Sequence, residues 1–256
     1  MQHLVLDSKK SFGLHGAGNQ IKKWEGNWMI KINSEKREAN KEVSAYILCK
    51  AFGVPCAVYE LMDVEYKGHI RRACRTLRYD TPMEEKISVY QILEAQGVAI
   101  TSKMPAIEYI QNTIIAISVY TGINKRDVAT WLYSMLVFDY LICNADRHLT
   151  NFEVLHNVET DTFRLVPYYD HGDSFLGVDR KITESEYTGL ERKFKTRPFS
   201  TNPEKNIGDH CIARSVFIRM MNNIGGINGI MSLNILDGHK YIVLKRIKKL
   251  EQVLQM

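Results

Sequence analysis

The chain has 256 residues, 45% of them apolar and 25% charged, with a formal net charge of +5. That length fits one domain or two closely joined lobes, and those fractions predict a sizeable buried core rather than disordered tails or solenoid repeats. So small a positive charge suits phosphate ligands or acidic partners and argues against direct nucleic-acid binding.

From the N-terminus, Met-Gln-His-Leu-Val-Leu-Asp carries no apolar run of signal-peptide length. Residues 8–20 are small and loop-like, with Gly13, Gly16 and Gly18 free to take positive φ and approach a ligand closely. Trp24-Glu25-Gly26-Asn27-Trp28 predicts a hairpin turn and Trp28–Ile32 a strand. A helix capped by Asn40 carries Val43, Tyr46, Ile47 and Ala51 on one face and ends at Gly53 before Pro55. Strands are expected over Ala57–Met62 and His69–Leu77. After Thr81-Pro82 the texture changes. Ile107, Ile110, Ile114 and Ile117 mark a helix that stops at Gly122, and Asn124 with Asp127 resembles a capping box for the next helix, which runs out at Asn144. Asp139 interrupts the longest apolar stretch, Trp131–Cys143, so no membrane contact is expected. Two short strands, Phe152–Leu155 and Phe163–Tyr168, flank a turn at Asn157–Asp161. A polar loop is expected from there to about Asn206, then helices near Ala213–Asn223 and Tyr241–Leu254. The five cysteines form no Cys-x-x-Cys pair and leave one over, as free thiols in a reducing cytoplasm would.

The chemistry concentrates in Asn144-Ala-Asp-Arg-His-Leu-Thr-Asn151 and Val166-Pro-Tyr-Tyr-Asp170-His-Gly172. Phosphoryl transfer needs a base near the acceptor hydroxyl and oxygen ligands that hold Mg²⁺ on the phosphates of ATP. In protein kinases the base Asp precedes a metal-binding Asn by five positions, and a second metal-binding Asp follows in Asp-Phe-Gly. Here Asn151 follows Asp146 by five positions, and Asp170 lies 19 further on in Asp-His-Gly. The spacing alone is weak; the hairpin between the two motifs, with an upstream strand lysine and glycine loop, gives it weight. The plain alternative makes Asp146 and Asn151 turn residues and Asp170 a loop residue.

These two motifs resemble those of HipA-like serine/threonine kinases, and the Asp-Arg-His-x-x-Asn order is shared with phosphatidylinositol kinases. Gly16-Ala17-Gly18-Asn-Gln-Ile-Lys before Trp28-Met-Ile-Lys31 is similar to the family's phosphate loop and strand lysine, although Gln20 and Ile21 stand where a lysine is common. Asn40-Lys-Glu-Val-Ser-Ala-Tyr resembles its regulatory helix, and Lys195-Thr-Arg-Pro-Phe-Ser-Thr-Asn-Pro has a counterpart in shorter members. The length implies a short form without the extra N-terminal subdomain of full-length HipA toxins. The resemblance implies an α+β, protein-kinase-like bilobal fold, with a β-rich N-lobe over residues 1–80 and a mainly helical C-lobe over 81–256. It makes Asp146 the base, with His148 supporting the loop or the phosphoryl group, and Asn151 and Asp170 the Mg²⁺ ligands. Gly16, Ala17, Gly18 and Lys31 would contact the phosphates. Glu42 would pair with Lys31, with Glu38 as a rival, and the hinge at Cys74–Leu77, including Arg75 and Leu77, would hold adenine through backbone groups. The substrate would be a protein Ser/Thr hydroxyl, the partner an antitoxin, and Ser8 or Ser11 a site of autophosphorylation.

Three alternatives stay open. Lys31 could be a surface lysine on an edge strand. His148, Asp170, His171 and Asp173 could cluster as a metal-dependent phosphohydrolase site. The chain could also keep the fold as an interaction module without transfer. Residues 180–206 hold seven basic and four acidic side chains, either a solvated loop or a substrate-docking one.

Overall fold

The computed structural model describes residues 4–6, 20–34, 37–99, 101 and 104–256. Ser8, Ser11 and the glycine loop at Gly16, Ala17 and Gly18 lie outside them.

Five strands form the first sheet: β1 (Leu4–Leu6), β2 (Ile21–Glu25), β3 (Trp28–Ile32), β4 (Tyr59–Tyr66) and β5 (His69–Leu77). Their order is β1-β4-β5-β3-β2, antiparallel except for the β1–β4 pair. Gly26, at φ 56°, makes the tight turn between β2 and β3 that the sequence predicts. Helix α1 (Glu38–Phe52) connects β3 to β4 and packs on β4 and β5. It starts before Asn40, which is therefore not its cap. Asn33 Oδ1 instead accepts from the Ala39 N–H at 2.7 Å, so an orphan amide of the first turn is satisfied from the preceding loop.

The remainder is mainly helical. Strand β6 (Glu84–Ser88) leads into α2 (Val89–Ala95), which Ser88 and Gln91 join by a reciprocal capping box. Helices α3 (Ala106–Thr121) and α4 (Lys125–Ile142) follow, then the hairpin β7 (Glu153–Asn157) and β8 (Thr162–Leu165), which extends β6 into a three-stranded antiparallel sheet. Asn124 caps α4 through the Arg126 N–H at 2.8 Å, one residue earlier than a capping box uses. The expected polar loop up to Asn206 is more ordered than that. It contains a 3₁₀ turn at Phe175–Gly177, α5 (Glu184–Glu191) and α6 (Pro203–Asn206). Thr183 and Glu186 form a capping box for α5, and Asn202 caps α6 with Pro203 at its first position. Helices α7 (His210–Ile224), α8 (Gly226–Ser232) and α9 (Asp237–Val253) complete the chain.

Helix α4 is the axis of the main core. Every residue from Trp131 to Ile142 is buried, as befits a helix that is apolar all round and packed between α3, α7 and α9. Asp139, at 3% exposure, is the one charged residue of that stretch, and Ser134 is buried with it. No described helix is long and apolar enough to cross a membrane.

Candidate active site

The C-terminus of α4 builds the first half of the site. Cys143 takes a left-handed conformation, which ends the helix and turns the chain outward. Asn144 fixes the turn: its Nδ2 donates to Asp139 Oδ1 at 2.9 Å and its Oδ1 accepts from the Asp146 N–H at 3.1 Å. Asp146 thereby projects outward with its side chain half-exposed. Arg147 points the other way, into the protein. Its Nε donates to Asp139 Oδ2 at 2.8 Å, and its Nη1 donates to the carbonyls of Asn151 at 3.1 Å and Tyr169 at 2.7 Å. One buried guanidinium therefore ties the Asn151 segment to the residue just before Asp170. Asn151 Nδ2 donates to the Asp146 carbonyl at 2.9 Å, so its Oδ1 is not used in that bond.

The sheet supplies the second half. Lys31 is 3% exposed on β3, opposite Cys74 of β5. Its Nζ donates to Glu42 Oε1 at 2.6 Å, to Asp170 Oδ1 at 2.9 Å and to the Tyr59 hydroxyl at 3.3 Å. Burial would lower the lysine pKa, but the Asp170 and Glu42 carboxylates outweigh it and hold the ammonium well above its ordinary value. Reciprocally, Lys31 holds Asp170 well below the usual carboxylate range. Glu38 is elsewhere, accepting from the Ser34 N–H at 2.9 Å, so Glu42 is the partner of Lys31. A surface lysine on an edge strand is excluded.

Asp170 sits at φ 61°, a strained backbone for a non-glycine residue, and strain of this kind gathers at functional sites. The Asp170 N–H donates to Tyr59 Oη at 3.2 Å and the His171 N–H to Glu42 Oε2 at 2.9 Å. Gly172 follows, and a Cβ there would lie 3.1 Å from Glu38 Cβ, so its lack of a side chain lets this turn press closely against α1.

At the expected hinge, the Arg75 side chain pairs with Glu60 at 2.6 Å and stacks over Trp28, on the exposed face of the sheet. The Leu77 N–H donates to the Val58 carbonyl at 3.3 Å. Two positions along from Cys74 on the same face of β5, Thr76 has a buried hydroxyl without a hydrogen-bond partner. Nearby, Tyr79 stacks on Tyr169 at 5.4 Å, and burial raises both phenol pKa values. His148 accepts or donates at Nδ1 to Thr150 Oγ1 at 2.5 Å, and burial lowers its pKa, leaving the ring neutral at pH 7. His171 is fully buried with its ring edge-on to Phe138. The two histidines therefore do not join Asp170 and Asp173, and among the described residues no group of three or more His, Cys, Asp and Glu could hold a metal ion.

Sequence reasoning missed Arg147, Asn144, Asp139, Tyr59 and Thr76. A signal existed for Asp139: a carboxylate inside an otherwise apolar helix requires a buried partner.

A small β-sheet whose buried lysine pairs with a glutamate of the helix packed on it, joined to a helical body that presents Asp146, Asn151 and Asp170, defines a kinase-like fold. The crystal structure of the proinflammatory kinase CtkA from Helicobacter pylori has that fold, at a TM-score of 0.66 and 15% identity, over 91% of this chain and 90% of that one. Residues 7–219 match the HipA-like C-terminal domain, and the chain belongs to that family. HipA of Shewanella oneidensis MR-1, from a toxin–antitoxin complex with HipB and operator DNA, aligns at a TM-score of 0.48 and 14% identity, over 98% of this chain and 66% of HipA. A choline/ethanolamine kinase family protein from Mesorhizobium loti aligns at 0.28 and 14% identity, over 94% of this chain and 87% of that one. No curated protein sequence matches the chain.

Proposed function

We propose that the chain transfers the γ-phosphate of ATP to a Ser/Thr hydroxyl of a protein, with Mg²⁺ as the metal. The observation that carries this reading is the Lys31 ammonium held between Glu42 and Asp170, across 139 positions of sequence. The residues present suit the nucleotide and metal. Asn151 and Asp170 offer hard oxygen atoms, and Asp170 keeps Oδ2, 3.9 Å from Lys22, while Oδ1 is on Lys31. The unpartnered Thr76 hydroxyl leaves a polar group in the cleft for a ligand to satisfy. When bound, Mg²⁺ would neutralise charge on the phosphates. Lys31 would orient them, Asp146 would accept the proton of the acceptor hydroxyl, and the neutral His148 ring would support the loop. Residues 1–80 and 81–256 would act as the two lobes, with Gly16, Ala17 and Gly18 covering the phosphates and the backbone at Leu77 bordering the adenine site. The family also suggests a toxin working with an antitoxin, in the cytoplasm.

The test is transfer of label from γ-labelled ATP to protein. Asp146→Asn should lower the rate about 10²–10⁴-fold, the usual contribution of a general base, with ATP affinity kept within a few-fold. Near-normal turnover in that variant would remove Asp146 from the reaction.

A further inference from the structure

Beside Asp146 lies a groove that the transfer chemistry leaves unused. It is an open depression of about 280 Å³ lined by Tyr90, His148, Leu149, Thr150, Arg197 and Pro198. Leu149 is buried in its floor, Tyr90 and Pro198 give it apolar walls, and Thr150 and Arg197 are its polar rim. The Arg197 guanidinium is largely exposed and rests 3.4 Å from Asp146 Oδ1. A contact so long and so open to water exchanges partners easily.

The backbone beneath that guanidinium is firmly held. Asn206 Nδ2 donates to the Arg197 carbonyl at 2.8 Å, while Asn206 Oδ1 accepts from the N–H groups of Phe199 and Ser200, each at 3.0 Å. Thr196 Oγ1 donates to the Ser200 carbonyl at 2.9 Å, and the buried Phe199 ring meets Tyr109 edge-on. A fixed pedestal thus aims a free-ended cation at the oxygen that must meet the acceptor hydroxyl. Such a cation is useful only if a substrate group can draw it away.

Resting on the kinase reading above, we infer that Arg197 determines specificity: the groove takes the residue beside the acceptor hydroxyl, and that residue is Asp or Glu. Its methylene stem lies on Tyr90 and Pro198, and its carboxylate replaces Asp146 on the guanidinium fork. Asp146 Oδ1 is then released for the hydroxyl, so recognition and readiness of the base are one event. An apolar flanking residue would leave Arg197 on Asp146, and a basic one would be repelled. The surplus of positive charge over residues 180–206, including exposed Lys193 and Lys195, favours the same acidic segment.

The experiment uses the full chain and short Ala-Gly peptides with one central serine, flanked by Asp, Ala or Lys. Label transfer from Mg·ATP is measured, and dye-labelled peptides are titrated by anisotropy without nucleotide. Asp-flanked peptides should exceed Lys-flanked ones by about tenfold or more in kcat/KM, mostly through KM. Arg197→Glu should reverse the order, and Arg197→Lys should weaken it because an ammonium lacks the fork. Equal transfer to all peptides, or an unchanged order in Arg197→Glu, overturns this inference and leaves the kinase reading standing. Acid-selective binding that depends on Arg197, with no transfer to any peptide, supports the recognition and overturns the transfer reaction. Neither binding preference nor transfer overturns both.

Discussion

Arg147 does more for the geometry than any group that would touch a substrate. Buried at 1% exposure, it satisfies Asp139 and holds the carbonyls of Asn151 and Tyr169 together. Replacing it with Met leaves Asp139 as an unpaired buried charge, and breaking a buried pair from one side costs about 3–5 kcal/mol. Arg147→Met should therefore lower the unfolding free energy by that much, read as an earlier urea midpoint at unchanged slope. Adding Asp139→Leu removes the stranded charge, so the double variant should regain most of the loss. Mg·ATP binding should stay impaired in the double variant, because Asn151 and Asp170 are no longer pinned. Full recovery of both stability and binding would reduce Arg147 to a packing residue.

Between elements, His239 joins three segments. From α9 its Nε2 faces the Val178 carbonyl and its Nδ1 faces Ser44 Oγ of α1, both at 2.8 Å, and its ring stacks on Phe175 at 4.0 Å. The carbonyl requires a proton on Nε2, so Nδ1 accepts from Ser44 and the ring is neutral. Burial, with Lys41 adding to it against the Val178 carbonyl and Asp179, holds the pKa down at about 4. In the unfolded chain it returns to about 6.5. Above pH 6.5 neither state is protonated; below it the unfolded chain binds the proton and the folded one does not. Stability therefore falls as pH falls, by about 3 kcal/mol in all by pH 4. Urea midpoints between about pH 7 and pH 5 should decline in the parent, and His239→Gln should flatten that decline. An equal slope in both would place the sensitivity in another group.

At the scale of the molecule, Lys31 belongs to the five-stranded sheet and Asp170 to the segment after β8, and their bond joins the two. A second seam lies at Cys56 and Tyr168, where the Ala57 N–H donates to the Tyr168 carbonyl at 2.8 Å and the Tyr168 N–H to the Pro55 carbonyl at 2.9 Å. A nucleotide bound between these parts should stabilise the whole fold by mass action, about 2.7 kcal/mol at one hundred times Kd, or roughly 5–10 °C in Tm for a chain of this length. Lys31→Met should unfold at a lower temperature, since Glu42 is left buried without its cation, and should lose most of the Mg·ATP shift. Glu42→Gln should lose less of it. A parent-sized shift in Lys31→Met would put the nucleotide elsewhere.

The sequence alone determined the local and periodic features: the β2–β3 turn at Gly26, the apolar face and Gly122 stop of α3, the apolar positions of α4, and the hairpin after Asn151. Each depends on neighbours within a few residues, where side-chain period and turn chemistry are decisive. The order Lys31, Asp146, Asn151, Asp170 is likewise a pattern of spacings, and the structure brings Lys31 and Asp170 within 2.9 Å. The start of α1 was misjudged because a loop residue, Asn33, satisfies its first turn, and α5 was missed although Thr183 and Glu186 spell its cap. Only the tertiary structure chose Glu42 over Glu38, sent Arg75 to the outer face and Arg147 to the centre, and set Arg197 against Asp146. Those choices depend on which face of a helix or strand meets another element many residues away. For Glu42 and Arg147 the energy that decides is the cost of burying a charge without its partner, which no local pattern records.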